Sequence, residues 1–77
     1  MKIQILGPGC KRTKKLTENV DAALRELGLE VRVEMVVDPE TISKMGALTT
    51  PALAVDGKVL VTGRVLSVKE ARKLLER

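Results

Sequence analysis

One thiol stands in this sequence, at a place where thiol chemistry is easily promoted. Cys10 closes the run Gly7-Pro8-Gly9 and is followed by Lys11-Arg12-Thr13-Lys14-Lys15. A short apolar stretch ends at the glycine–proline turn and a helical pattern begins directly after it, so Cys10 is expected at a helix N-terminus. Unpaired backbone N–H groups and the helix dipole favour an anion there, and Lys11, Arg12, Lys14 and Lys15 add positive charge within the first turns. Both effects lower a thiol pKa, and the thiolate is the nucleophile. A lone cysteine is otherwise a small apolar core residue; here the position argues for the reactive form. Positions 13, 16, 20, 24 and 27 share one helical face, so Thr13 turns towards the protein while Cys10 caps the end. Its hydroxyl is expected to donate either to a Cys10 thiolate or to a helix carbonyl.

The inventory excludes much else. The 77 residues contain no histidine and no second cysteine, which removes histidine-based triads, Cys–His pairs, His-based zinc sites and any internal disulfide. No metal site and no cofactor is expected. Aromatic residues are absent, so no side chain can stack on a base, and the cations are spread along the chain; nucleic acid is not an expected partner. A charged fraction of 31% and a formal net charge of +4 keep a small domain in solution. Gly7-x-Gly9 could suggest a phosphate cradle. Arg12 stands where the dinucleotide fingerprint wants its third glycine, however, and Pro8 removes a backbone donor. The stretch Met1 to Gly7 has neither the apolar core of a signal peptide nor the length of a membrane span. A lone thiol without an export signal fits the reducing cytoplasm.

The elements that must position Cys10 follow from periodicity. Ile3 and Ile5 share one face of a first strand, and Leu16, Val20, Ala23, Leu24 and Leu27 recur at helical spacing until Gly28 stops the helix. From Leu29 to Val37 the residues alternate, with Val31, Val33 and Met35 on the buried side of a strand near the sheet edge. Met35 and Met45 read as fillers of an irregular core. Asp38-Pro39-Glu40 starts a short helix, with Asp38 as N-cap and Gly46 soon after its end. Ala52–Val55 and Val59–Val61 flank Asp56-Gly57, a two-residue hairpin signal. Ser67 and Glu70 form a capping box for a last helix with Val68, Ala71, Leu74 and Leu75 on its apolar stripe. The order is β-α-β-α-β-β-α in a single domain over 1–77, an α/β fold with a four-stranded mixed sheet flanked by helices. Pro51, just before the third strand, reads locally as trans, because cis makes up only about one in twenty X-Pro bonds in folded proteins.

Taken in order, Ile5-Leu-Gly-Pro-Gly-Cys10 entering a helix, Thr50-Pro51-Ala52, Val55-Asp56-Gly57 and Gly63 resemble the thioredoxin superfamily, in its small glutaredoxin-like, redox-active-disulfide branch. The resemblance covers nearly the whole chain. It implies a thioredoxin-like fold, a cis Thr50–Pro51 bond beside Cys10, and backbone at Thr50 that pairs with an extended substrate. Gly63 falls where glutaredoxins place a glycine pair beside bound glutathione, and Thr62-Gly63 keeps half of it. Substrate contacts are thereby expected from Gly9, Lys11, Arg12, Thr50, Pro51 and Gly63, with Cys10 and Thr13 as the catalytic pair. The departure is Thr13, which replaces the second cysteine of a C-x-x-C motif, so Cys10-Lys11-Arg12-Thr13 is left as C-x-x-T. The implied activity is thiol–disulfide exchange through one thiol, with an external thiol resolving the intermediate. The implied partners are protein or low-molecular-weight thiols and disulfides. The alternative is a binding module of the same fold without redox turnover, which captures a peptide or a soft metal or metalloid at Cys10. A monomer is expected, with a Cys10-linked dimer on air oxidation.

Overall fold

A computed structural model of the 77-residue chain describes residues 2–9, 11–47 and 49–76. Met1, Cys10, Leu48 and Arg77 lie outside the described residues.

Seven elements follow one another: β1 (Ile3–Leu6), α1 (Lys11–Glu26), β2 (Val33–Val36), α2 (Pro39–Lys44), β3 (Ala52–Val55), β4 (Lys58–Thr62) and α3 (Val68–Leu75). The strands form one sheet in the order β2-β1-β3-β4, with β1–β2 parallel and the β1–β3 and β3–β4 pairs antiparallel. This is the mixed four-stranded α/β architecture read from the sequence.

Strand alternation sorts the side chains onto two unequal layers. Ile3, Ile5, Leu53 and Val55 meet Leu16, Val20, Ala23 and Leu24 of α1 and Ala71 and Leu75 of α3 in the main core. On the opposite face Leu6, Val36, Ala52 and Ala54 meet Ile42 and Ala47 from α2 and its C-terminal turn. Burying a Val, Leu or Ile side chain contributes roughly 1.5–3 kcal/mol and a single methyl-sized group about 0.8 kcal/mol. The layer rich in Leu and Ile therefore carries most of the stabilisation, and the layer with three alanines holds α2 close with little area.

Local signals act where expected. Asp56 and Gly57 both take positive φ, 52° and 81°, between Val55 and Lys58, as a type I′ hairpin requires. A register shift between Leu53 and Ala54 leaves Leu60 as the extra residue on β4. Asp38 caps α2 by accepting from the Thr41 amide, with Pro39 in the first turn.

At α3 the capping box is complete, since Ser67 accepts from the Glu70 amide and Glu70 accepts from the Ser67 amide. The bond from the Ser67 amide, followed by the Ser67 hydroxyl and the Arg64 guanidinium, holds the Glu70 carboxyl below its ordinary value, and the Thr41 hydroxyl does the same for Asp38. A carboxyl depressed in the folded state binds its proton more weakly than in the unfolded chain. Its contribution is complete above the ordinary carboxylate range, around pH 4, and is lost as pH falls through and below that range. Ser67→Ala is expected to cost about 1 kcal/mol at neutral pH. It leaves the Ser67 amide on Glu70, so the pH-dependent part is read from Glu70→Gln, for which thermal melts followed by circular dichroism should show the gap to the parent narrowing towards pH 3. A constant gap would mean that Glu70 takes no part.

Two expectations are corrected. The second strand is shorter than the alternating stretch from Leu29 to Val37: only Val33–Val36 pairs with β1, while Leu29 and Val31 pack on the main core outside the ladder. Met35 is no core filler, for it is 44% exposed. It lies in register with Ile5, on the α1 side of the sheet, but at an edge strand where α1 covers it incompletely. Met45, by contrast, packs against the α2 layer.

Candidate functional site

The site is assembled where three chain segments meet beyond the C-terminal end of β1. Gly7 leaves the strand with its amide donating to the Val36 carbonyl at 2.9 Å, and takes φ +151°. A Cβ at Gly7 would stand 2.9 Å from Thr13 Oγ1, 3.3 Å from Thr50 Cβ and 3.6 Å from Pro51 Cα. The missing side chain is what lets the first turn of α1 and the Thr50–Pro51 turn close on each other.

Thr13 is fully buried on the inward face of α1, in line with Leu16, Val20, Ala23 and Leu24. One turn on, Thr17 donates to the Thr13 carbonyl at 2.9 Å. Cys10, the expected nucleophile, lies outside the described residues; its sequence neighbours Gly9 and Lys11 are both exposed. No acidic residue occupies the first turn of α1, and Lys11, Arg12, Lys14 and Lys15 there are exposed cations.

The Thr50–Pro51 peptide bond is cis. This overturns the expectation of trans drawn from local sequence. It is the isomer that the resemblance implies; the local preference for trans is small, and Thr50 and Pro51 lie close beside Gly7. Pro51 is buried and its carbonyl accepts from the Gly63 amide at 2.9 Å. Gly63 in turn adopts φ +68°, and a Cβ there would approach Thr49 Oγ1 to 2.6 Å. Arg12 reaches across from α1 and donates to the Gly63 carbonyl at 2.9 Å. Of the residues expected from sequence, Thr13, Thr50 and Pro51 thus converge on Gly7, while Arg12 and Gly63 are tied to them through the Pro51 carbonyl. Gly9 and Lys11 border this cluster as exposed surface.

Two grooves flank the cluster. One, of about 620 Å³, runs along the α2 face between Pro8, Val37, Pro39, Ile42, Ala47 and Thr50. Val37, 59% exposed, is an apolar side chain presented to solvent on its wall. The other, of about 430 Å³, lies on the α1 face between the outer side of that helix and Met35 of β2. Sequence reasoning missed Gly7, Thr49 and both groove walls. Only Gly7 left a signal, as a glycine ending a strand before a proline.

Among the described residues, no group of three or more His, Cys, Asp or Glu side chains is placed to hold a metal ion. No helix of the described residues is long and apolar enough to cross a membrane.

A family model described as a thioredoxin domain matches residues 1–76. A thioredoxin of Methanothermobacter thermautotrophicus is 40% identical over 75 residues, covering 97% of this chain and 97% of its own length. A thioredoxin of Methanocaldococcus jannaschii is 32% identical over 74 residues, covering 96% of this chain and 85% of its own length.

Proposed function

Since this chain belongs to the thioredoxin domain family, we propose that it is a thiol–disulfide exchange protein that works as a monothiol through Cys10. The observation that carries this reading is Thr13, buried against Gly7 and the cis Thr50–Pro51 turn in the position that a second thiol would need. The Cys10 thiolate attacks a substrate disulfide, forms a mixed disulfide and releases one substrate thiolate. With threonine three residues on, no internal thiol can displace the second half, so an external thiol completes the cycle. The cytoplasm is the compartment that would supply it.

The residues around Cys10 divide the work. The N-terminus of α1 and the exposed cations Lys11, Arg12, Lys14 and Lys15 favour the thiolate. Arg12, held on the Gly63 carbonyl, braces the Pro51 turn against the helix. The α2-face groove lies beside Thr50, so an extended, disulfide-bearing segment has an apolar wall for its side chains and the backbone of Thr50 for its own. Buried apolar area supplies affinity here, and the backbone pairing supplies register.

The test is the pH dependence of Cys10 alkylation, with free cysteine as control. A midpoint at least about one unit below the ~8.5 of a free thiol is expected, together with exchange on small disulfides that stops in Cys10→Ser. With neither Trp nor Tyr in the chain, thiolate absorbance in the ultraviolet reports the same titration directly. A midpoint at or above the free value would remove the exchange reading and leave capture of a peptide or soft metal at Cys10.

A further inference from the structure

Three large apolar side chains stand exposed among the described residues: Met35, Val37 and Leu60. Val37 walls the α2-face groove and Leu60 is the extra residue of the bulge on β4; neither bears a reactive atom. Met35 does, because its thioether sulfur carries lone pairs that an oxidant can take up without any prior loss of a proton. The surroundings leave that sulfur open on one side and closed on the other. β2 is an outer strand of the sheet, and Met35 forms a wall of the α1-face groove, which has a volume of about 430 Å³. On the helix side, Thr17 Oγ1 lies 3.5 Å from Met35 Sδ, at van der Waals contact. The same hydroxyl lies 2.9 Å from the Thr13 carbonyl. A hydroxyl has one proton to donate and a thioether is a weak acceptor, so the carbonyl keeps the proton and the sulfur keeps its lone pairs. Thr17 thus bars one approach to Sδ without making the sulfur less nucleophilic. Met45 is partly buried and packs against the α2 layer.

From this arrangement we infer that Met35 is a modification site, oxidised by a hydroperoxide that approaches through the α1-face groove, and oxidised chiefly to one of the two sulfoxide epimers. The inference is independent of the chemistry assigned to Cys10. It concerns a side chain on β2 and the face of α1 that shields it. The new oxygen stands on the groove side, away from Thr17, and turns an apolar wall into a hydrogen-bond acceptor. A sulfoxide disrupts a packed core; on this outer strand, with 44% of the residue already in solvent, the fold accommodates it.

The step balances. Sδ attacks the terminal oxygen of the hydroperoxide, an S–O bond forms and the O–O bond breaks. The departing oxygen carries off the electron pair and takes up the proton of the oxygen now bound to sulfur. With hydrogen peroxide it leaves as water. Sulfur is oxidised by two electrons and the peroxide is reduced by two.

The test treats the full chain with hydrogen peroxide to low conversion and maps the sulfoxides by digestion and mass spectrometry. Met35 and Met45 sit in one molecule and meet the same peroxide, so whatever the thiol consumes cancels from their ratio. Met35 is expected to oxidise at least about threefold faster than Met45 in the folded protein, and at about the same rate in guanidinium, where both are exposed. The two epimer-specific methionine sulfoxide reductases, applied to the digest, then count the epimers. One of them should restore at least about three quarters of the Met35 sulfoxide made in the folded protein, against about half of that made in the unfolded chain. Thr17→Ala opens the closed side and should bring the epimers close to parity. A rate lead below about threefold, equal epimers from the folded parent, or an epimer ratio that Thr17→Ala leaves unchanged would each overturn the inference. Should Thr17→Ala not fold, the rate lead and the epimer ratio of the parent decide the matter.

Discussion

A Thr13→Cys variant is expected to form an internal disulfide between Cys10 and the introduced thiol on mild oxidation, and to release its substrate in a single turnover without any external resolving thiol, an external reductant being needed only to reopen the internal disulfide. Residue 13 is fully buried, on the inward face of α1 and against the Pro51 turn. Cysteine replaces the hydroxyl by a sulfur and loses one methyl group, a packing cost of about 1 kcal/mol. Well-oriented intramolecular reactions reach effective molarities of ~10⁵–10⁸ M. Release of the substrate thiol should therefore accelerate at least ~100-fold over the parent at millimolar external thiol, even if only a small part of that advantage is realised. Thiol titration before and after oxidation gives the first readout, and the dependence of substrate release on external thiol gives the second. The double variant Cys10→Ser, Thr13→Cys should do neither. If Thr13→Cys stays folded but forms no disulfide, position 13 does not face Cys10, and the account of this site as a two-thiol device with one thiol missing is wrong.

Gly7→Ala should be strongly destabilising. The new Cβ would press on Thr13 Oγ1 at 2.9 Å and Thr50 Cβ at 3.3 Å, at a residue with φ +151°. A non-glycine residue in such a region costs ~1–3 kcal/mol, and overpacking a closed contact costs a further ~1–3 kcal/mol. Against a total stability of ~0.05–0.15 kcal/mol per residue, the sum is a large fraction of what holds the fold. A fall in melting temperature of roughly 10 °C or more is expected, at ~4–8 °C per kcal/mol for a domain of this size. Adding Thr13→Ala removes the nearest atom. The pair should then recover about 1 kcal/mol relative to the sum of the single changes, within the range of coupling between touching residues. A melting temperature within about 3 °C of the parent for Gly7→Ala alone would show that Thr13 and the Pro51 turn do not close on Gly7.

The fold was legible because each of its decisions is local. Asp56-Gly57 dictates the hairpin, Ser67 and Glu70 start α3, and Asp38-Pro39 starts α2, all through bonds spanning a few residues. Thr13 was legible for the same reason, since helical spacing places it with Leu16 and Val20. What stayed hidden depends on residues far apart in sequence. The isomer of Pro51 was reached through the family resemblance and not through local preference, for Pro51 meets Gly7, some forty positions earlier. Alternation gives the parity of Met35 correctly but not how far α1 reaches over the end of an edge strand. Arg12 bound to Gly63 is likewise a contact between elements, for which composition supplied only a loose cation.

The unequal layers on the two faces of the sheet imply unequal lifetimes for their hydrogen bonds. The α2 layer rests on Ile42, Ala47 and a few partners, two of them alanines, whereas α1 and α3 are sealed to β1 and β3 by a cluster rich in Leu, Ile and Val. Regions with few buried contacts open first, at free energies far below global unfolding. Amide protons of α2 should accordingly exchange with solvent well before those of β1, β3 or the middle of α1. The two walls of the α2-face groove then differ in kind. Pro8 and Thr50 belong to the rigid meeting of Gly7, Thr13 and Pro51, whereas Pro39, Ile42 and Ala47 move with a helix that breathes. A partner's cystine would thus meet a fixed reaction geometry on one side and an accommodating surface on the other, so that a single invariant chemical step can serve segments of differing shape.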